Sequence, residues 1–210
     1  MSDIIQVAID VICPWCFIGK RTLDQALASS QERNRYRVAW LPYELDPEMP
    51  PEGQERLSYR MKRFGSAEKS REMDQKATIA GQRVGISFRY DLITKTPNTL
   101  HAHRLIWWAG GFENSPGDLV DAIFRAYFLE GRDIGDVKTL MEIAEKSGLP
   151  GREVSDFLRG SGATEKIRGL EVWVRAQEVK SVPAYFLNEE RIVDGARPLL
   201  ALISGKNLSA

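Results

Sequence analysis

The 210-residue chain is 43% hydrophobic and 28% charged, enough to bury a sizeable core as one domain or as one domain with a large insertion. Lysine plus arginine and aspartate plus glutamate balance at 29 each, which argues against nucleic acid, a membrane surface or a polyacidic ligand as partner, and no basic patch stands out along the sequence to reverse that. The opening stretch MSDIIQVAID is acidic where a signal peptide needs a basic segment, and no run of about 18 apolar residues follows, so a cytoplasmic protein without a membrane span is expected.

In chain order, Ile4, Ile5, Val7, Ile9 and Val11 form a short β-branched run that suits a buried strand. Pro14 fits the first turn of a helix, where its missing N–H has no helical partner to lose. Phe17, Ile18, Arg21, Leu23 and Leu27 carry that helix to the polar stretch SSQERNR, and RVAWLPYEL reads as a second strand. Residues 53–162 then read as all helical. Leu57, Met61 and Phe64 repeat at i, i+4 and i+7; a wide apolar stripe runs from Leu119 to Phe128; Val137, Leu140, Met141 and Ala144 form another. Asp118 and Asp136 are expected N-caps, and Gly148 before Pro150 an expected stop. The chain closes with a helix in TEKIRGLEVWVRAQEV, the turn KSVP, strands in AYFL and RIVDG, and a short helix in RPLLALISG. The predicted architecture is α/β, with residues 1–52 and 163–210 forming a discontinuous sheet domain with helices on both faces and 53–162 a helical subdomain inserted into it.

Cys13 and Cys16 are the only cysteines. They fall three apart at the predicted strand-to-helix junction, in Cys13-Pro14-Trp15-Cys16. On the first helical turn, residues i and i+3 share a face and can form a disulfide. The positive end of the helix and its unpaired N–H groups favour a thiolate at Cys13, while Cys16, one turn in, should be less exposed. In the cytoplasm such a pair is more often redox-active or metal-binding than a structural staple. Cys-x-x-Cys is also half of a zinc site for which His101 and His103 are the only histidines, but residues two apart on a helix point about 200° away from each other, so no metal is expected. Asp10 and Glu44 are candidates for moving a proton near the inner thiol, or for local capping. Ser181-Val182-Pro183 opens a predicted strand, where a proline can form a cis turn.

The segments CPWCFIGKR, YELDP, PNTLHAHRL, FRAYFLEGRDIGD and VPAYFLNEERIVDGAR together resemble the DsbA-like thioredoxin family, in particular its cytosolic FrnE-type branch, related to 2-hydroxychromene-2-carboxylate isomerases and kappa-class glutathione transferases. The resemblance runs nearly end to end and implies a thioredoxin fold interrupted by a large helical insertion. It makes Cys13 the nucleophile, Cys16 the resolving cysteine and Pro183 a cis-proline facing them. Val182 would offer its backbone to an extended substrate, and Pro14 and Trp15 would border the substrate. Asn98 and His101 match insertion positions that face the active site in relatives, Asn98 resembling an asparagine that contacts glutathione. The pair Trp107–Trp108 is a second candidate apolar wall. The implied activity is thiol–disulfide exchange on protein or peptide thiols, without a required cofactor, glutathione being the small thiol that the relatives bring in. The alternatives are a glutathione-dependent isomerase or transferase and a binding module whose thiols do not matter. Isomerase and transferase relatives carry serine at the position of Cys13, which favours dithiol exchange. Arg197 stands where FrnE-type relatives commonly have glutamine, and the second cysteine pair of some relatives is missing.

Overall fold

The computed structural model describes residues 3–31, 33–110, 116–192, and 200, 201 and 203. The predicted first strand is β1 (Asp3–Ile9), whose Ile5, Val7, Ala8 and Ile9 are buried. Helix α1 (Pro14–Ser29) crosses over to β2 (Tyr36–Pro42), which lies parallel to β1 with Ile5 opposite Val38 and Val7 opposite Trp40. Parallel neighbours need such a crossover, and a helix is its usual form. The other edge of β1 pairs antiparallel with β5 (Ala184–Leu187), which pairs in turn with β6 (Glu190–Ile192). The sheet order β2-β1-β5-β6 therefore puts β1 inside, bonded on both sides, and brings the two ends of the chain together. This is a thioredoxin fold. The residues of RIVDG beyond Ile192, Arg197 and most of the predicted last helix lie outside the described residues.

Between β2 and β5 come α2 (Arg56–Phe64), α3 (Ala67–Gln82), α4 (Leu100–Ala109), α5 (Pro116–Phe128), α6 (Val137–Lys146), α7 (Gly151–Arg159) and α8 (Thr164–Ala176). Asp136 caps α6 as expected, its carboxylate accepting the Thr139 N–H at 2.9 Å, and Gly148 follows the helix with φ at 82°. Two expectations fail. Asp118 is not a cap but sits inside the first turn of α5, which begins at Pro116. The insertion is not wholly helical either, because β3 (Gln54–Glu55) and β4 (Lys95–Thr96) form a small antiparallel ladder, too short for an alternating pattern to register.

The stripe Leu57, Met61 and Phe64 predicts the buried face of α2, yet Leu57 is 52% and Met61 44% exposed. The inward face carries Arg56, Tyr59 and Arg60 instead, a quarter-turn round the helix. The insertion is held to the sheet domain by aromatic rings. Phe17 of α1 stacks on Phe124 of α5 at 5.1 Å between ring centres and lies 6.1 Å from Phe128, which meets Phe88 edge-on at 5.2 Å. The helix carrying the cysteines is thus a wall of both parts. Among the described residues, no helix is long and apolar enough to cross a membrane.

Candidate active site

Cys13 is the N-cap of α1 and Pro14 its first helical residue. The Cys13 N–H donates to the Asp10 carbonyl at 3.0 Å, and the Cys13 carbonyl accepts from the N–H groups of Cys16 and Phe17 at 3.0 and 3.3 Å, closing the first turn. Both thiols are free. Their environments differ. Cys13 is 5% exposed and borders a cavity, whereas Cys16 is fully buried. Burial pushes the Cys16 thiol well up, reinforced by its hydrogen bond to Cys13, by charge on Cys13 and by the Asp10 carboxylate. The helix N-terminus beyond Cys13 offers N–H groups and a partial positive charge to an anionic sulfur there.

Across from this turn the Val182–Pro183 bond is cis, and the Cys13 Sγ donates to the Val182 carbonyl at 3.7 Å. The structure thus brings Cys13, Cys16, Val182 and Pro183 into one place. A residue not singled out from the sequence permits this approach. A Cβ on Gly19, one turn along α1, would lie 2.9 Å from the Pro183 Cγ and 2.6 Å from the Tyr185 hydroxyl. An isolated glycine within a helical pattern was the available signal. Gly19→Ala should destabilise the protein by about 1–3 kcal/mol, because overpacking outweighs the better helix propensity of alanine, and should slow disulfide exchange as Pro183 is pushed off the cysteines. Thermal melts and exchange rates check this; wild-type values for both would show that the close packing is immaterial.

Behind Cys16 lies a buried polar cluster. Asp10 is fully buried; its Oδ2 accepts the Leu45 N–H at 2.7 Å and its Oδ1 faces His103 Nε2 at 3.5 Å. Glu44 is also fully buried and pairs with Arg168, and its backbone N–H donates to Glu171 at 2.6 Å. Arg168 reaches Glu171 at 3.0 Å, and Arg175 donates to the Glu44 carbonyl at 2.7 Å. Burial and the Glu171 charge push the Glu44 carboxyl up to about 7. Burial works against an imidazolium at His103, but Asp10, Glu44 and Glu171 outweigh it and leave the imidazole pKa raised.

On the other side of Cys13 is a cavity of about 200 Å³ between the β1–α1 turn and the insertion, bordered by Pro14, Trp15, Tyr59 and Tyr90. Arg56, Arg60 and Arg63, spaced i, i+4 and i+7 on α2, also border it. Arg56 and Arg60 share Asp74 at 2.7 and 2.6 Å, so one carboxylate answers two of the three guanidinium groups, while Arg63 donates to the Leu45 carbonyl at 3.4 Å. The linear sequence shows no basic patch; the helix assembles one. Asn98 and His101 do not border this cavity. Asn98 donates to the Met49 carbonyl at 2.7 Å and accepts the Leu100 N–H at the start of α4, and His101 bonds Arg104 at 2.8 Å. His101 and His103 thus diverge to different partners. Trp107 is exposed and Trp108 stacks on Phe157 at 5.7 Å, so Trp15 alone of the candidate indoles borders the cavity.

A Cys-x-x-Cys turn at a helix start, facing a cis-proline in the bend that leads into β5 of a thioredoxin fold, defines a thioredoxin-like protein with a dithiol site. Residues 4–203 match the DSBA-like thioredoxin domain, and the chain belongs to that family. A curated relative, the uncharacterized protein YwbO of Bacillus subtilis, is 23% identical over 197 residues, covering 93% of this chain and 92% of its own. Among solved structures, a probable DsbA oxidoreductase from Streptomyces coelicolor superposes with a TM-score of 0.83 at 23% identity, over 100% of this chain and 93% of that one. The cytosolic disulfide reductase DsbM from Pseudomonas aeruginosa with GSH superposes with a TM-score of 0.68 at 16% identity, over 96% and 94%.

Proposed function

We propose that the protein is a thiol–disulfide oxidoreductase acting on protein or peptide thiols through Cys13 and Cys16. The observation that carries this reading is the position of Cys13 Sγ, between the N-terminus of α1 and the Val182 carbonyl with the cavity beside it. The Cys13 thiolate attacks one sulfur of a substrate disulfide and releases the other as a thiol. Cys16 then attacks Cys13 Sγ, closes the Cys13–Cys16 disulfide and releases the second substrate thiol; the reverse sequence oxidises a dithiol. An extended substrate segment lies along Val182 and Pro183, with Pro14 and Trp15 on its other side. The dithiol itself holds the electrons in transit, so no dedicated cofactor is required, and a reducing cytoplasm would return it to the free state.

The arginine-lined cavity favours a second reading, in which glutathione binds by its carboxylates beside Cys13 and an aromatic substrate is isomerised or conjugated against Tyr59 and Tyr90. Position 16 separates the two. In dithiol exchange, Cys16→Ala should end multiple-turnover oxidation of a dithiol peptide while leaving one round of mixed-disulfide formation intact. Full turnover of that variant with glutathione and an aromatic isomerisation substrate, together with no reversible Cys13–Cys16 disulfide in the wild type, would replace the first reading by the second.

A further inference from the structure

The cavity beside Cys13 carries more positive charge than the residues around it neutralise. Arg56, Arg60 and Arg63 border it along one face of α2, against the single carboxylate of Asp74 from α3 among its bordering residues. Arg56 commits one nitrogen to Asp74, and Arg60 commits two, to Asp74 and to the Ser70 hydroxyl and carbonyl. The other nitrogens of both have no protein partner among the described residues, which leaves N–H groups for a bound anion. Burial, with the charge of Arg56, holds the Arg60 pKa down against the pull of Asp74, the state of a cation short of negative neighbours. Tyr90, whose ring lies 5.1 Å from the Arg56 guanidinium, borders the same cavity, and its buried hydroxyl has no hydrogen-bond partner. Joining α2 to α3 accounts for the bridges to Asp74 but not for spare donors beside a reactive sulfur.

These donors fit a carboxylate carried close to the sulfur that Cys13 attacks. Either a small acidic thiol or the acidic side chain of a polypeptide brings one there, and the surroundings favour the polypeptide. Elsewhere the cavity wall is largely apolar, with Ile12, Met73, Ile93 and Phe128, and outside it Leu57 and Met61 expose an apolar row beside the arginines of α2, with Trp15 exposed at the rim. A small thiol leaves that row bare, whereas an extended segment continues onto it with the residues beyond its cysteine. We propose that the cavity receives the side-chain carboxylate of an aspartate or glutamate next to the reactive cysteine of a protein substrate, Arg56, Arg60 and Arg63 being the groups that select it. This rests on the dithiol mechanism above and names the substrates it serves. Cys13 attacks the selected disulfide and releases one substrate thiol; Cys16 then attacks Cys13 Sγ and releases the other. Two electrons pass from the protein dithiol to the substrate disulfide, and the two protons of the dithiol end on the released thiols.

Symmetric disulfides of a short peptide, capped at both ends and carrying glutamate, glutamine or lysine beside the cysteine, present the same sulfur with one side chain changed. The reduced protein is mixed with each, quenched in acid, and the released peptide thiol is measured by chromatography. At low salt the glutamate peptide should be reduced at least about tenfold faster than the glutamine peptide, and the lysine peptide slowest. Combining Arg56→Gln with Arg63→Gln should bring the glutamate-to-glutamine ratio to within about threefold of one; comparing ratios between proteins cancels what glutamate does to its own sulfur. Should the double variant fail to fold, the wild type decides, since raising the salt to about 0.5 M should cut its ratio at least about threefold. Equal rates for the three peptides, or a glutamate preference that neither the double variant nor salt reduces, would overturn the proposal and leave the dithiol reading in place. So would glutathione disulfide reduced faster than every peptide, which would assign the arginines to a small thiol. A wild type that releases no thiol from any of these disulfides would overturn the dithiol reading and this inference with it.

Discussion

Iodoacetamide at neutral pH should alkylate Cys13 of the reduced protein at least about ten times faster than Cys16. Each unit by which a thiol pKa is raised cuts its thiolate fraction about tenfold, and Cys16 is buried, donates to Cys13 and faces the charge of Asp10. Access acts in the same direction, because Cys13 borders the cavity and Cys16 does not. The consequence for turnover is larger. Cys13→Ser should abolish exchange and trap no substrate, whereas Cys16→Ser should accumulate mixed disulfides at Cys13, having kept the attacking sulfur and lost the releasing one. Mass spectrometry of alkylated and trapped protein provides both measurements. Equal labelling of the two thiols, or trapping on Cys16 in a Cys13→Ser protein, would reverse the assigned roles.

Phe17→Ala should cost about 3–5 kcal/mol, the range for emptying the place of a buried phenylalanine. That is a large part of the roughly 5–15 kcal/mol by which a domain is stable. Phe17 is fully buried one residue after Cys16 and stacks on Phe124, with Phe128 and Phe88 completing the group. The loss therefore falls on the joint between α1 and the insertion as well as on the core. Phe17→Leu, which keeps most of the volume, should retain more than half of that stability. Chemical denaturation of the three proteins tests the ranking; an alanine variant within about 1 kcal/mol of wild type would mean that the ring cluster does not join the two parts.

What the sequence disclosed follows the range over which its signals act. The β-branched run, the Cys-Pro turn and the amphipathic helix after it are local patterns, and they give β1, α1 and the positions of both cysteines directly. The C-terminal strand AYFL and the proline before it were equally readable. Leu57 and Met61 misled because apolar spacing reports an amphipathic face without saying what it packs against, and α2 turns its arginines to the cavity instead. The role of Gly19 depends on Pro183 and Tyr185, and the pairing of Asp10 with His103 joins β1 to an inserted helix; no local window contains either relation. Asn98 and His101 rest on a resemblance rather than on any local pattern, and the structure gives both local partners at the start of α4.

The contact between Cys13 and Val182 spans 169 positions of chain. A ribosome adding about 5–20 residues per second needs on the order of ten to thirty seconds to travel that far. Throughout this interval the nascent chain holds its two sulfurs and half of its sheet, while the strand that will pair with the second edge of β1 has not been made. Val7 and Ala8, sealed on that edge by Tyr185 and Ala184 in the finished molecule, remain unpaired until then. The price of drawing a redox centre from both ends of one polypeptide is a newborn thiol pair that must wait, open to any passing disulfide, for the last quarter of its own synthesis to enclose it.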